Sequence, residues 1–167
     1  FEENGFAVVD LLNPNEVKRV EEIYFNNRVQ EQPALEISVW SKDSMVSKKI
    51  SDLLWEVFYQ KVNEILDNHR NIYSGFVSKI PGKPGVSKPH QDPSFVDERN
   101  LSSAVVWVPL CKVDETNGAL YVIRGSHRIL QGHRGYTFLK YDYFDIKDDV
   151  INRKFGEVVR IQPGQAI

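Results

Sequence analysis

The triplet His90-Gln91-Asp92 offers the most specific chemistry in this 167-residue chain. On an extended strand, side chains two positions apart project to the same face, so an imidazole and a carboxylate in this order converge on one point. Two neighbouring ligands of a metal ion must do the same. A mononuclear site of two histidines and one carboxylate fills one face of an octahedron, leaving the other positions for a bidentate 2-oxo acid and for O2; Fe(II) suits such a donor set. A third ligand, a distant histidine, is then required. The same two residues would also describe a surface histidine beside a loop acid, since acids are common in any chain. Their surroundings favour the metal. His90 follows the turn-forming PGKPG at 81–85 and precedes the polar-aromatic run PSFVDERN, which leads into an apolar stretch.

The other chemistry-bearing residues read more plainly. His127, in a Gly-Ser-His turn, is a structural residue before it is a ligand. His133 lies in a Gly-rich loop and reads as solvated. His69 is expected at a helix end, its ring meeting the last carbonyls. Arg160, beside Val158 and Ile161 on a strand, reads as a surface residue. Cys111 is the single cysteine, which excludes an internal disulfide and a thiolate-based metal site. It is expected as buried packing.

The elements that must position His90 and Asp92 can be read from periodicity and turn chemistry. GFAVVDLL at 5–12 is a short apolar run consistent with a buried strand. Asn13-Pro14-Asn15-Glu16 then opens a helix: Asn13 caps, Pro14 suits the first turn and Glu16 completes a capping box. Val17, Val20 and Ile23 or Tyr24 give it one apolar face. A second helix is expected over 44–69, where Ile50, Leu53, Leu54, Val57, Phe58, Val62, Ile65 and Leu66 recur at helical spacing. After about residue 71 the period changes. YSGFVSKI (73–80) reads as a strand, and SSAVVWVPLCKV (102–113), apolar at odd and even positions alike, as a central strand covered on both sides. ALYVI (119–123) is a strand between the turn signals Asn117-Gly118 and Arg124-Gly125-Ser126. Val158–Ile161 and Ala166–Ile167 flank Pro163-Gly164 as an expected hairpin. Helices followed by short strands give an α+β chain, with helices packed on one face of a β-sandwich or barrel. No repeat or linker interrupts it, so 1–167 reads as a single domain: an opening strand and supporting helices over 1–70, and an incomplete sheet core over 71–167. Tyr136, Phe138, Tyr141 and Tyr143, in an aromatic, Gly-containing segment, are candidates for a lid over a substrate pocket.

Bulk properties narrow the function. A net charge of −2 gives no electrostatic case for nucleic acid, and no apolar run reaches the length of a membrane span. FEENGF at the start is acidic and unlike a signal peptide. A cytoplasmic protein acting on a small molecule is the default; oligomeric state is left open.

Three segments, in order, resemble the phytanoyl-CoA dioxygenase family: FEENGFAVVDLLNPNEV, SKIPGKPGVSKPHQD, and VVWVPLCKVDETNGALYVIRGSHR. The resemblance implies a double-stranded β-helix, a cupin-like jelly roll, and a dioxygenase that hydroxylates a small organic substrate while 2-oxoglutarate is decarboxylated to succinate. It further implies Fe(II) and 2-oxoglutarate as cofactor and co-substrate, with O2 as oxidant. By the same resemblance His90 and Asp92 match the iron ligands, Trp107 lies against the co-substrate, and Ser78 and Lys79 stand where related enzymes contact 2-oxoglutarate. Gln91 matches the family motif and helps to set ligand geometry. Arg124 departs from the family, which has a small or apolar residue there, and is expected to be a loop variation of little consequence. The distal histidine and the arginine that pairs with 2-oxoglutarate are expected beyond Ile167; with two of three ligands this piece is expected to hold iron weakly, and either the native protein continues beyond 167 or the isolated chain is poorly stable. Two rivals stand beside the oxygenase: a catalytically inactive jelly-roll binding module, and a non-oxidative, metal-dependent cupin-like enzyme.

Overall fold

The computed structural model describes residues 1–28, 35–79, 90–129 and 154–167. The PGKPG turn, His133 and the four aromatic lid candidates lie outside the described residues. The chain divides into two compact units, one of residues 1–9 and 87–167, the other of residues 10–86.

In the unit of residues 10–86, helix α1 (Pro14–Asn27) starts as its sequence dictates. The Asn13 side chain accepts from the backbone N–H groups of Asn15 and Glu16, and Glu16 reaches back to the Asn13 N–H at 2.8 Å. Together these satisfy donors that the first helical turn leaves open. Asn13→Ala should therefore destabilise the protein by about 1 kcal/mol; urea denaturation measures it, and an unchanged midpoint would show that the cap contributes nothing. Helix α2 (Ser44–Asn63) is capped by Asp43, which accepts from Met45 and Val46. It ends at Asn63, six residues before the expected end at 69. The backbone still closes a turn from Leu66 N–H to Val62 C=O, but Asn68 at φ 45° ends any helical path. The His69 ring meets the Leu66 carbonyl at 3.0 Å, but both lie past the end of α2, so His69 is not helix-terminal.

Helix α1 packs against α2. Val17, Val20 and Ile23 of the first and Ile50, Leu54, Val57 and Val62 of the second are buried. Ion pairs Arg19–Glu56 (3.3 Å) and Lys61–Glu16 (3.9 Å) link the helices, and such surface pairs contribute little beside the apolar contact. Strand β2 (Leu35–Ile37) pairs antiparallel with β3 (Val77–Lys79), Glu36 opposite Ser78. A helical turn at Ser38–Trp40 follows β2. Buried Ser38 fixes the end of this ladder: its N–H donates to the Phe76 carbonyl, and its hydroxyl accepts from the Phe76 N–H at 2.8 Å. The ladder begins only at Val77, so the strand expected over 73–80 is shorter among the described residues.

In the other unit, β4 (Leu120–Val122) pairs antiparallel with β5 (Glu157–Val159), Tyr121 opposite Val158. Val113 and Ile161 exchange two backbone hydrogen bonds, as do Trp107 and Ile167. Strand β1 (Val9–Asp10), whose Val9 belongs to this unit, pairs with β6 (Gln165–Ala166). Val113, Ala119, Val159, Ile161 and Ala166 are buried, Ile161 completely.

Three expectations change here. Residues 102–113 form isolated bridges rather than a continuous strand, because Pro109 lacks a ladder donor and the partner chain turns away at 162–165. Ala104 and Val105 are exposed, so the run is not covered on both sides among the described residues. Pro163-Gly164 does form a turn, with Gly164 at φ 89° and the Gln165 N–H on the Gln162 carbonyl. Its flanks, however, join different partners, β4 and β1, so it is a crossover between sheets rather than a hairpin. Cys111 is exposed, not buried, since it sits in the bend between the two bridges.

The first six residues are tied to the turn at 124–128. The Gly125 N–H donates to the Asn4 carbonyl, and His127 Nε2 lies 2.9 Å from the Glu2 carbonyl, to which the ring donates. Gly5, at φ 83°, lies so close that a Cβ would stand 2.4 Å from His127 Nδ1; only glycine fits. Arg124 forks onto Glu157 with contacts at 2.7 and 3.1 Å, and its guanidinium lies 5.3 Å from the Phe6 ring centre.

Candidate metal centre

His90 and Asp92 are brought together. Nε2 of the imidazole lies 3.5 Å from Oδ1 of the carboxylate, with side chains 36% and 51% exposed. They do so on irregular backbone: no strand is formed at 90–94. The expectation of a strand is corrected, while the convergence it was meant to explain is present. A separation of 3.5 Å exceeds the roughly 2.7–2.9 Å of a charge-assisted N–H···O bond. Two neighbouring ligands on an octahedral face, with bonds of about 2.1 Å, would stand about 3.0 Å apart, so the pair is about 0.5 Å wider than a ligated arrangement. By type, a nitrogen and a carboxylate oxygen suit a divalent first-row ion. Among the described residues no group of three or more His, Cys, Asp or Glu side chains could hold a metal.

The other expected site residues distribute as follows. Gln91 and Trp107 are half-buried in the same unit as His90, and Trp107 is fixed through its backbone to Ile167. Ser78 and Lys79 belong to the unit of residues 10–86. Ser78 is half-buried and its hydroxyl accepts from the Tyr24 hydroxyl at 3.1 Å; Lys79 is exposed. His127 spends its Nε2 on the Glu2 carbonyl, which makes it a structural residue.

Several polar contacts were not foreseen. Arg124 is not an inert loop variation, since it joins β5 to the Phe6 ring. Arg160 is on the surface as expected, but paired with Glu115. Beside it, the 114–118 turn is self-contained: Asp114 accepts from both the hydroxyl and the N–H of Thr116, and Asn117 donates to the Lys112 carbonyl. The Thr116 hydroxyl, then its N–H, hold the Asp114 carboxyl below its ordinary range. Glu115 is lowered by its own backbone N–H and then by Arg160. Opposite charges on a turn and a distant segment leave no periodic trace in one sequence, so only the folded chain reveals these pairs.

The profile of the family described as Phytanoyl-CoA dioxygenase (PhyH) matches residues 1–167. The chain belongs to this family. Its fold is a cupin-like jelly roll; among the described residues the sheets are two-stranded and close no barrel. "Phytanoyl-CoA dioxygenase" of Arabidopsis thaliana is 32% identical over 128 residues, covering 72% of this chain and 43% of the plant protein. "Phytanoyl-CoA dioxygenase 1" of Oryza sativa subsp. japonica is 39% identical over 57 residues, 34% of this chain and 20% of its own length. The matches thus span less than half the length of these curated relatives. No solved structure matches the chain. No helix among the described residues is long and apolar enough to cross a membrane.

Proposed function

We propose that this chain carries two of the three iron ligands of an Fe(II)/2-oxoglutarate-dependent dioxygenase that hydroxylates a small organic molecule. The observation that carries the reading is the 3.5 Å approach of His90 Nε2 to Asp92 Oδ1, within a chain that matches the family over its whole length. When bound, Fe(II) and 2-oxoglutarate supply the oxidising chemistry, with O2 consumed and the 2-oxo acid converted to succinate and CO2. His90 binds as the neutral imidazole, so loading the metal releases a proton wherever the ring was charged. Asp92 would hold the ion with a negative charge that offsets part of the ion's own. Gln91, half-buried between them, restrains the backbone that aims both groups. Trp107, in the same unit as His90, serves the co-substrate in this reading with an apolar wall. The remaining histidine ligand and a carboxylate-binding arginine come from outside the described residues. Both units then belong to one oxygenase domain, in a cytoplasmic protein.

The native protein, loaded anaerobically with Fe(II) and then given air and 2-oxoglutarate, should form succinate. His90→Ala should lower that rate at least about 100-fold, beyond what loss of an outer hydrogen-bond partner costs. Turnover that persists in His90→Ala, or without iron, refutes the reading.

A further inference from the structure

Two Asn-Gly pairs occur in the chain, Asn4-Gly5 and Asn117-Gly118. Such a pair is open to a reaction that consumes nothing but water. The backbone nitrogen after the asparagine attacks its side-chain carbonyl carbon, and glycine, with no Cβ, leaves that nitrogen unshielded. Both pairs lie in the unit of residues 1–9 and 87–167, and both glycines have positive φ, 83° and 101°. Their asparagines are held very differently.

The Asn117 side chain is tied at both polar atoms of its amide. Its Oδ1 accepts from the Asp114 N–H at 2.9 Å, and its Nδ2 donates to the Lys112 carbonyl at 2.7 Å. A ring onto the Gly118 nitrogen cannot close without freeing Nδ2 from Lys112 and turning Oδ1 away from Asp114. The Asn4 side chain makes no hydrogen bond among the described residues. On the attacking side, the Gly5 N–H donates to the Phe1 carbonyl at 2.8 Å, in a turn whose first residue is 73% exposed. Exposed backbone bonds of that kind open at low cost.

We propose that Asn4 is a site of spontaneous deamidation in the folded protein, that Asn117 is a protected one, and that the product at position 4 releases residues 2–6 from the turn at 124–128. The Gly5 nitrogen loses its proton and bonds to Asn4 Cγ; the Cγ–Nδ2 bond breaks, and Nδ2 leaves with that proton as ammonia. Water then adds to either carbonyl of the five-membered imide and breaks its bond to the Gly5 nitrogen, which recovers a proton. Opening at Cγ gives aspartate, and opening at the main-chain carbonyl gives iso-aspartate. Nothing is oxidised or reduced. The iso-aspartyl main chain runs through Cβ and Cγ, one carbon longer, and the carbonyl that accepted from the Gly125 N–H becomes a free carboxylate. The neighbouring residue has no room to absorb the change, since a Cβ on Gly5 would stand 2.4 Å from His127 Nδ1.

The test holds the native protein in mildly alkaline buffer, with and without guanidinium chloride, while peptide mass spectrometry follows the mass gain at each asparagine. In buffer Asn4 should convert at least about tenfold faster than Asn117, the scale expected when two hydrogen bonds must break first. In guanidinium chloride the two rates should agree within about threefold, because the unfolded chain protects neither. Hydrogen exchange at the Gly125 N–H of the converted chains should quicken at least about tenfold, as for a bond passing from closed to open. Asn4→Gln closes a larger ring far more slowly and should keep the Gly125 N–H protected over the same interval. Asn117 converting in buffer as fast as Asn4, or Asn4 staying intact in buffer, overturns the assignment. Exchange at Gly125 that conversion leaves unchanged, or that quickens equally in Asn4→Gln, overturns the release of residues 2–6.

Discussion

Asp92→Ala is expected to weaken Fe(II) binding by at least about 100-fold, because loss of a primary ligand must exceed the 10–100-fold typical of outer hydrogen-bond partners. Its melting temperature should barely change. The carboxylate is half exposed, and its ion-pair partner among the described residues is His90 at 3.5 Å. Removing it leaves no buried polar group unsatisfied, and surface changes of that kind usually stay within about 0.5 kcal/mol. The two measurements discriminate between roles. Anaerobic equilibrium dialysis of Fe(II) reports ligation, and a thermal melt of the metal-free protein reports structure. A variant that melted much earlier but kept its affinity would make Asp92 a structural acid, and the metal assignment would fail with it.

Ile161→Ala is expected to cost about 2–5 kcal/mol, the range for truncating a fully buried isoleucine. Its side chain has 0% exposure, and its backbone exchanges hydrogen bonds with Val113 at 2.9 and 3.3 Å. The residue thus combines core packing with the join between two strand segments. Ile161→Val keeps the branched shape and should lose only about 0.5–1.5 kcal/mol. Urea titrations of the pair measure both. Equal losses, or a loss below about 0.5 kcal/mol for alanine, would show that the site collapses around the change and that Ile161 is not a core residue in solution.

What could be read in advance followed the range of the forces involved. The start of helix α1 was legible to the residue, because Asn13, Pro14 and Glu16 act within one turn and carry their geometry in their types. Helix α2 was legible in its apolar face but not in its end, where Ile65 and Leu66 prolong the pattern past the last helical residue. Strand limits were less legible. A strand exists where a partner runs beside it, and nothing local to residues 102–113 tells that Ile161 and Ile167 meet them only at Val113 and Trp107. The approach of His90 to Asp92 was legible through spacing, although their backbone is irregular rather than extended. The facing of Ser78 was not: it depends on Tyr24, far away in sequence, and a strand's two faces look alike until something packs on one of them.

The tie between residues 2–6 and the turn at 124–128 bears on how the protein is made. His127 and Glu2 are 125 positions apart. At ordinary synthesis rates residues 2–6 wait about 6–25 s on the ribosome before their partners are even polymerised. During that interval Phe6 has no Arg124 to lie beneath it. Contacts of such long sequence separation also form slowly after release. Docking of residues 2–6 therefore follows synthesis of the turn at 124–128, and a nascent chain stalled before Arg124 leaves that segment without its partners.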